Sequence, residues 1–144
     1  MRVVVASDHA GFALKAAIVA ALQAKGEAVE DLGCDSEASV DYPVFAARVA
    51  ERVARGEAER GVLVCGSGIG MSIAANRFRG VRAALCGDGK AAELSRRHND
   101  ANVLCLGGRV TAPAVAESIV GVFLATPFEG GRHERRLKLI DDIE

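Results

Sequence analysis

Short, nearly unbroken aliphatic runs alternate along the chain with Ala-rich stretches whose apolar positions recur at i, i+4. The runs cover residues 2–6, 28–32, 61–65, 82–86 and 102–106 and are dominated by Val, Leu, Ala and Cys. A strand apolar on both faces is what a parallel sheet sandwiched between helices requires; a half-exposed strand would alternate with polar residues. Between the runs, Leu14, Ile18 and Leu22 mark one helical stripe, Phe45, Val49 and Val53 a second, and Val115, Ile119 and Phe123 a third. Pro43 and Pro113 stand near helix starts, where a missing N–H costs nothing, and Gly26 and Gly56 stand just past helix ends. A further helix is expected over 73–78, and another ending at His98. The alternation, with right-handed crossovers, predicts one doubly wound α/β domain over 1–144 with a five-stranded parallel sheet.

The last segment departs from this rhythm. Pro127-Phe128-Glu129-Gly130-Gly131 breaks the pattern, and residues 132–143 then read as an extra C-terminal helix with Leu139, Ile140 and Ile143 on its apolar face. Arg132 and Arg136 extend that face at i, i+4 spacing. Three arginines start this helix and three acids end it, the reverse of what the macrodipole favours, by ~0.3–1 kcal/mol per charge. Either the segment is a solvated amphipathic tail with pairs such as Glu134–Lys138, or its arginines face an anion, in another subunit.

Composition narrows the function classes. Of 144 residues 50% are hydrophobic and 26% charged, and 18 Lys+Arg against 19 Asp+Glu leave a net charge of −1. That balance, with no Trp and one Tyr, argues against nucleic-acid and anionic-membrane partners. No apolar run approaches the ~20 residues of a membrane helix, and the early charges of Arg2 and Asp8 do not fit a signal peptide, so a cytoplasmic protein is expected. Cys34, Cys65, Cys86 and Cys105 form no CxxC pair and are read as reduced thiols, not as a zinc site or disulfide framework.

Ligands of open α/β sheets sit beyond the C-terminal ends of the strands. Ser7-Asp8-His9-Ala10-Gly11 follows the first strand there, and Cys65-Gly66-Ser67-Gly68-Ile69-Gly70-Met71-Ser72 follows the third. Glycines at alternate positions let backbone N–H groups approach an oxyanion, and a helix start adds its positive end. Cys65, at the head of this turn, is a candidate nucleophile or base. A P-loop is excluded because no Lys follows the glycines, and a dinucleotide fingerprint would lie on the first strand. A cysteine phosphatase loop would need Arg where Met71 stands. A tight turn around a buried thiol is the remaining alternative. Asp8 reads first as a cap of helix 1, and His9 beside it raises a polar site. His98 either complements its helix C-terminus or joins Cys65 in a site. Residues preceding the fifth strand belong at the sheet edge opposite Cys65, so if His98 works with Cys65 either its turn reaches far around or a second subunit supplies it, which makes a homodimer with a shared site an attractive hypothesis.

Taken in order, these motifs are specific. Ser7–Phe12, Asp41-Tyr42-Pro43, Cys65–Gly70, Ala74-Ala75-Asn76, Ser95–Asn102, Gly107-Gly108-Arg109 and Gly130-Gly131-Arg132-His133 together resemble the family of B-type ribose-5-phosphate and galactose-6-phosphate isomerases, over essentially the whole chain. The resemblance implies a Rossmann-like three-layer fold, a homodimer or dimer of dimers with shared active sites, and no metal or other cofactor. It implies aldose–ketose interconversion of a small phosphorylated sugar, with the 132–143 helix packing on a partner subunit. In that picture Cys65 is the base, Ser67 relays a proton, and Gly66, Gly68, Ile69 and Gly70 hold the oxyanion through their N–H groups. His98 opens the furanose ring, and Asp8 and Asn99 bind sugar hydroxyls. Arg109, Arg132 and Arg136, with His9, hold the phosphate, and Tyr42 either lines the site or packs in its loop. Some members carry a carboxylate base at the position of Met71; Cys65 places this chain with the cysteine-base group. The alternatives are an isomerase of allose or galactose 6-phosphate, and a non-catalytic sugar-phosphate binder.

Overall fold

The computed structural model describes residues 1–144. Its elements follow the order β1(Arg2–Ser7), α1(Phe12–Ala24), β2(Ala28–Asp31), α2(Tyr42–Ala54), β3(Arg60–Cys65), α3(Ile69–Ala75), β4(Ala83–Leu85), α4(Gly89–Arg97), β5(Val103–Gly107), α5(Pro113–Ala125) and α6(Arg132–Asp141). The strands form one parallel sheet in the order β2-β1-β3-β5-β4, so β1 and β4 flank the central β3–β5 pair with β2 outermost.

Alternate residues of each strand point to opposite faces, and in β1, β3 and β5 both faces are dry. The edge strands depart from the expectation, β2 being mostly exposed through Ala28, Glu30 and Asp31 and β4 only half-buried. Val3, Val5, Val62, Val64, Leu104 and Leu106 meet Leu14, Ile18 and Leu22 of α1 and Ile119 and Phe123 of α5. On the other face Val4, Ala6, Leu63, Val103 and Cys105 meet Phe45, Val49 and Val53 of α2 and Met71 and Ala75 of α3. The aliphatic runs are unbroken because each residue type serves one of two cores. No helix is long and apolar enough to cross a membrane.

Several local expectations are corrected. Helix α3 begins at Ile69, four residues before the expected 73, because Gly68 adopts a left-handed conformation (φ 81°) and turns the chain straight from strand into helix. The third stripe is Ala116, Ile119, Val120 and Phe123; Val115 is exposed on the flank. Helix α6 ends at Asp141 and buries His133 and Leu137, one turn apart, against its own chain. Its Leu139 and Ile140, with Ile143 beyond, are open to solvent.

One charged side chain lies inside. Lys15 of α1 is 1% exposed, and its Nζ donates to Asp31 Oδ1 at 2.9 Å and to the Cys34 carbonyl. Asp31 Oδ1 also accepts from the Gly33 N–H at 2.9 Å, while Ser7 and Gly33–Cys34 exchange backbone bonds of 2.8 and 3.0 Å. A buried ammonium is tolerated only when its donors are satisfied; here it ties α1 to the end of β2 and the segment after it, which the Ser7 backbone bonds hold against the end of β1, beside Asp8.

Candidate active site at the sheet's C-terminal edge

Three turns converge where β1, β3 and β5 end. In the first, Asp8 Oδ1 accepts the N–H groups of Ala10 and Gly11 at 3.0 and 3.1 Å, which bends the chain into α1. Asp8 therefore does not cap helix 1 as expected: the N-cap position is Gly11 with no side-chain bond, and Asp8 instead closes the turn before the helix, nearly buried at the ligand edge. His9 Nδ1 accepts the Val40 N–H at 3.1 Å, so the neutral ring carries its proton on Nε2.

The second turn carries the thiol. Cys65 Sγ accepts the Gly68 N–H at 3.1 Å, so an oriented donor already faces the sulfur. The glycines are required by contact as well as by dihedral angle. A Cβ on Gly68 would lie 2.6 Å from Leu85 and 2.9 Å from the Leu106 carbonyl carbon, and one on Gly70 would lie 2.5 Å from the Tyr42 ring. Ser67 is exposed at the tip, and its Oγ accepts the Ile69 N–H at 3.2 Å.

The third turn locks onto the second. Gly108 donates to the Cys65 carbonyl at 2.7 Å and Arg109 to the Gly66 carbonyl at 3.0 Å. The Arg109 side chain lies over Gly66, where an added Cβ would stand 3.3 Å from Nη1. The chain therefore brings together Asp8, His9, Cys65, Gly66, Ser67, Gly68, Ile69, Gly70 and Arg109, with the Tyr42 ring alongside.

It does not bring His98, Asn99, Arg132 or Arg136 to them. His98 caps the C-terminus of α4, before β5. Register pairs Gly61 with Val103 at the near end and Cys65 with Gly107 at the far end, four residues or about 13 Å along the strands. His98 stacks on His133 with ring centroids 4.4 Å apart and planes within 14°. His133 is buried, and its Nε2 has no hydrogen-bond partner, lying 3.8 Å from Glu129 Oε1. Burial first, then the charges of Arg132 and His98 and of Arg136, push the His133 pKa below its ordinary value. Arg132 and Arg136 thus gather with His98 at one corner.

His133 and Glu129 were missed as site neighbours by sequence reasoning. The positive-φ pair Gly130–Gly131, which turns the chain so that α6 runs beside His98, is the signal that pointed there.

A thiol, convergent backbone donors and an arginine at the C-terminal edge of a doubly wound parallel sheet define a Rossmann-like protein built for a small anionic substrate. The Ribose/Galactose Isomerase family profile matches residues 3–140, and the chain belongs to that family. Ribose-5-phosphate isomerase B of Escherichia coli (strain K12) is 49% identical over 137 residues, covering 95% of this chain and 92% of that protein. The crystal structure of a ribose 5-phosphate isomerase from Thermotoga maritima superposes with a TM-score of 0.97 at 52% identity, covering 99% of this chain and 98% of that one. Ribose-5-phosphate isomerase B from Mycoplasma genitalium, solved with bound ribulose-5-phosphate, gives 0.94 at 44% identity, covering 97% and 93%.

Proposed function

We propose that this chain interconverts D-ribose 5-phosphate and D-ribulose 5-phosphate through a cis-enediolate, in an oligomer whose active sites are shared between subunits. His98 donates a proton to the ring oxygen as the C1–O4 bond breaks, and the C1 hydroxyl releases its proton to water as it becomes the aldehyde. Cys65, as thiolate, removes the C2 proton; the C–H pair becomes the C1=C2 bond and O1 becomes an oxyanion. The N–H groups of residues 66–70 receive that charge, and preorganised donors of this kind are worth about 10²–10³-fold each. Ser67 gives a proton to O1 and takes one from O2, and the Cys65 thiol returns its proton to C1. Arg109, Arg132, Arg136 and His9 hold the phosphate, where guanidinium forks supply charge and orientation. Asp8 and Asn99 hold sugar hydroxyls.

The observation that carries this reading is the Gly68 N–H aimed at Cys65 Sγ at 3.1 Å, in a turn where a Cβ on Gly68 or Gly70 has no room. Sharing is supported by the separation of the two halves and by what surrounds each. Ile69, Ile73, Leu85 and Val110 expose apolar surface around the thiol half, and Leu139 and Ile140 of α6, with Ile143 just beyond it, expose it at the other. Covering such surface releases ~25 cal/mol per Å², so a homodimer or dimer of dimers that docks α6 of one subunit at the thiol edge of another completes the site. The helix arginines placed against their own dipole then face a substrate anion.

Steady-state turnover of ribose 5-phosphate in EDTA, with allose and galactose 6-phosphate alongside, tests the proposal. Fast pentose turnover that Cys65→Ala abolishes with the fold intact is expected. Preference for a hexose phosphate moves the substrate while keeping the mechanism, and a fully active alanine variant overturns the base assignment.

A further inference from the structure

The corner around His98 holds more than the proposed isomerisation uses. His98, Glu129 and His133 come from the end of α4, the turn before α6 and the first turn of α6, and one ligating atom from each lies within 4.8 Å of the others. The Nε2 of His133 is buried without a partner, which in a native core calls for an explanation. It points toward Glu129 but stops at 3.8 Å, beyond hydrogen-bond reach. Two imidazoles and a carboxylate form a donor set suited to zinc, with a fourth position left for water. A zinc-bound trio at about 2.0–2.2 Å per bond needs its donors closer than they stand. Glu129 is 43% exposed and His98 half-buried, so both can close by side-chain rotation while buried His133 anchors the set. His98 must leave its stack on His133 to do so, because parallel rings cannot both aim lone pairs at one ion.

We infer that His98, Glu129 and His133 form an inhibitory zinc site, in which the ion takes His98 away from the substrate. The inhibitory half rests on the role proposed for His98; the binding half does not. The guanidinium of Arg132, 3.8 Å from Glu129 Oε1, competes for the carboxylate and keeps the affinity below that of a structural zinc centre. The site therefore acts as a reversible brake on a reaction whose proposed steps use side chains and backbone donors alone.

The assembled protein, stripped with EDTA and freed of chelator, is titrated with ZnCl2 in two assays. In the first, ribose 5-phosphate turnover is expected to fall reversibly and to return on adding EDTA. Glu129→Gln, an exposed position outside the proposed catalytic set, is expected to raise the zinc concentration for half-inhibition by about tenfold or more, since loss of even outer partners costs metal sites about 10–100-fold. In the second, Cys65→Ser is dialysed against zinc and is expected to bind one ion per chain, which Glu129→Gln in the same background weakens. Unchanged inhibition in Glu129→Gln, or no zinc on Cys65→Ser, places the metal on the thiol and overturns the site. Zinc bound by Cys65→Ser with no loss of wild-type turnover overturns the brake while leaving the site. If the wild type turns over no sugar phosphate, the binding assay still decides whether the site exists.

Discussion

Gly68→Ala perturbs the thiol turn by a single methyl. Gly68 sits at φ 81°, a region where a side chain costs about 1–2 kcal/mol. Its added Cβ would also meet Leu85 Cδ1 at 2.6 Å and the Leu106 carbonyl group at 2.9–3.0 Å. The leucine tip can rotate away, but the β5 backbone cannot, so the turn itself must shift and withdraw its N–H from Cys65 Sγ. Gly80 is the internal control: it has φ 87° and nothing within 4 Å of its Cβ position. Gly80→Ala is expected to carry the conformational cost alone, about 1–2 kcal/mol, which for a chain of this size is roughly 3–8 °C in Tm. Gly68→Ala is expected to lose as much or more stability and, unlike the control, to lose about 10²–10³-fold in kcat, because the shifted turn moves its N–H groups off the Cys65 sulfur and the developing oxyanion, an effect on the scale of losing an oxyanion donor. Thermal melts and steady-state kinetics on both variants make the comparison. If Gly68→Ala keeps kcat within a factor of a few of the control, the donor turn does not stabilise the enediolate and the reasoning fails.

Three further outcomes follow from other parts of the molecule. Ribulose 5-phosphate has no free 5-hydroxyl to close a furanose, so His98→Asn is expected to slow isomerisation of ribose 5-phosphate strongly. The same variant should retain Cys65-dependent deuterium exchange at C1 of the ketose, read by NMR; equal loss of both reactions contradicts a ring-opening role. Phe123→Ala empties a fully buried position between α5 and the sheet and is expected to cost about 3–5 kcal/mol by denaturant unfolding. Burial pushes the Cys105 thiol far above its ordinary pKa, so at pH 8 it stays protonated and shielded; mass spectrometry after alkylation of the folded protein should find it unmodified.

Much of the architecture was legible because burial on two faces leaves a plain trace. The runs in β1, β3 and β5 contain almost no polar residue, and the stripes of α1 and α2 landed on the buried positions Leu14, Ile18, Leu22, Phe45, Val49 and Val53. The start of α3 was not legible, since glycine-rich sequence is as compatible with loop as with a helix entered through left-handed Gly68. Helix α6 misled for a different reason. Its conspicuous apolar residues Leu139, Ile140 and Ile143 face outward, while the contacts with its own chain use Leu137 and a histidine that no hydropathy pattern flags. For the site, each turn motif fell at the expected strand end, and the separation of His98 from Cys65 followed from element order. In the proposed assembly the two halves meet only through surfaces that look merely exposed, so one chain's periodicity does not encode which subunit supplies which group.

Subunit complementation tests the shared site most directly. Cys65→Ala and His98→Asn homo-oligomers, the first expected to be inactive and the second strongly slowed toward ribose 5-phosphate, are mixed, unfolded and refolded together. A shared site joins Cys65 of one chain to His98 of the other, so each mixed dimer regains one intact site of its two. With random pairing, about a quarter of wild-type activity should return. If the mixture is no more active than its parents while size-exclusion and native mass spectrometry show mixed dimers, Cys65 and His98 do not act across subunits and the proposed site is wrong.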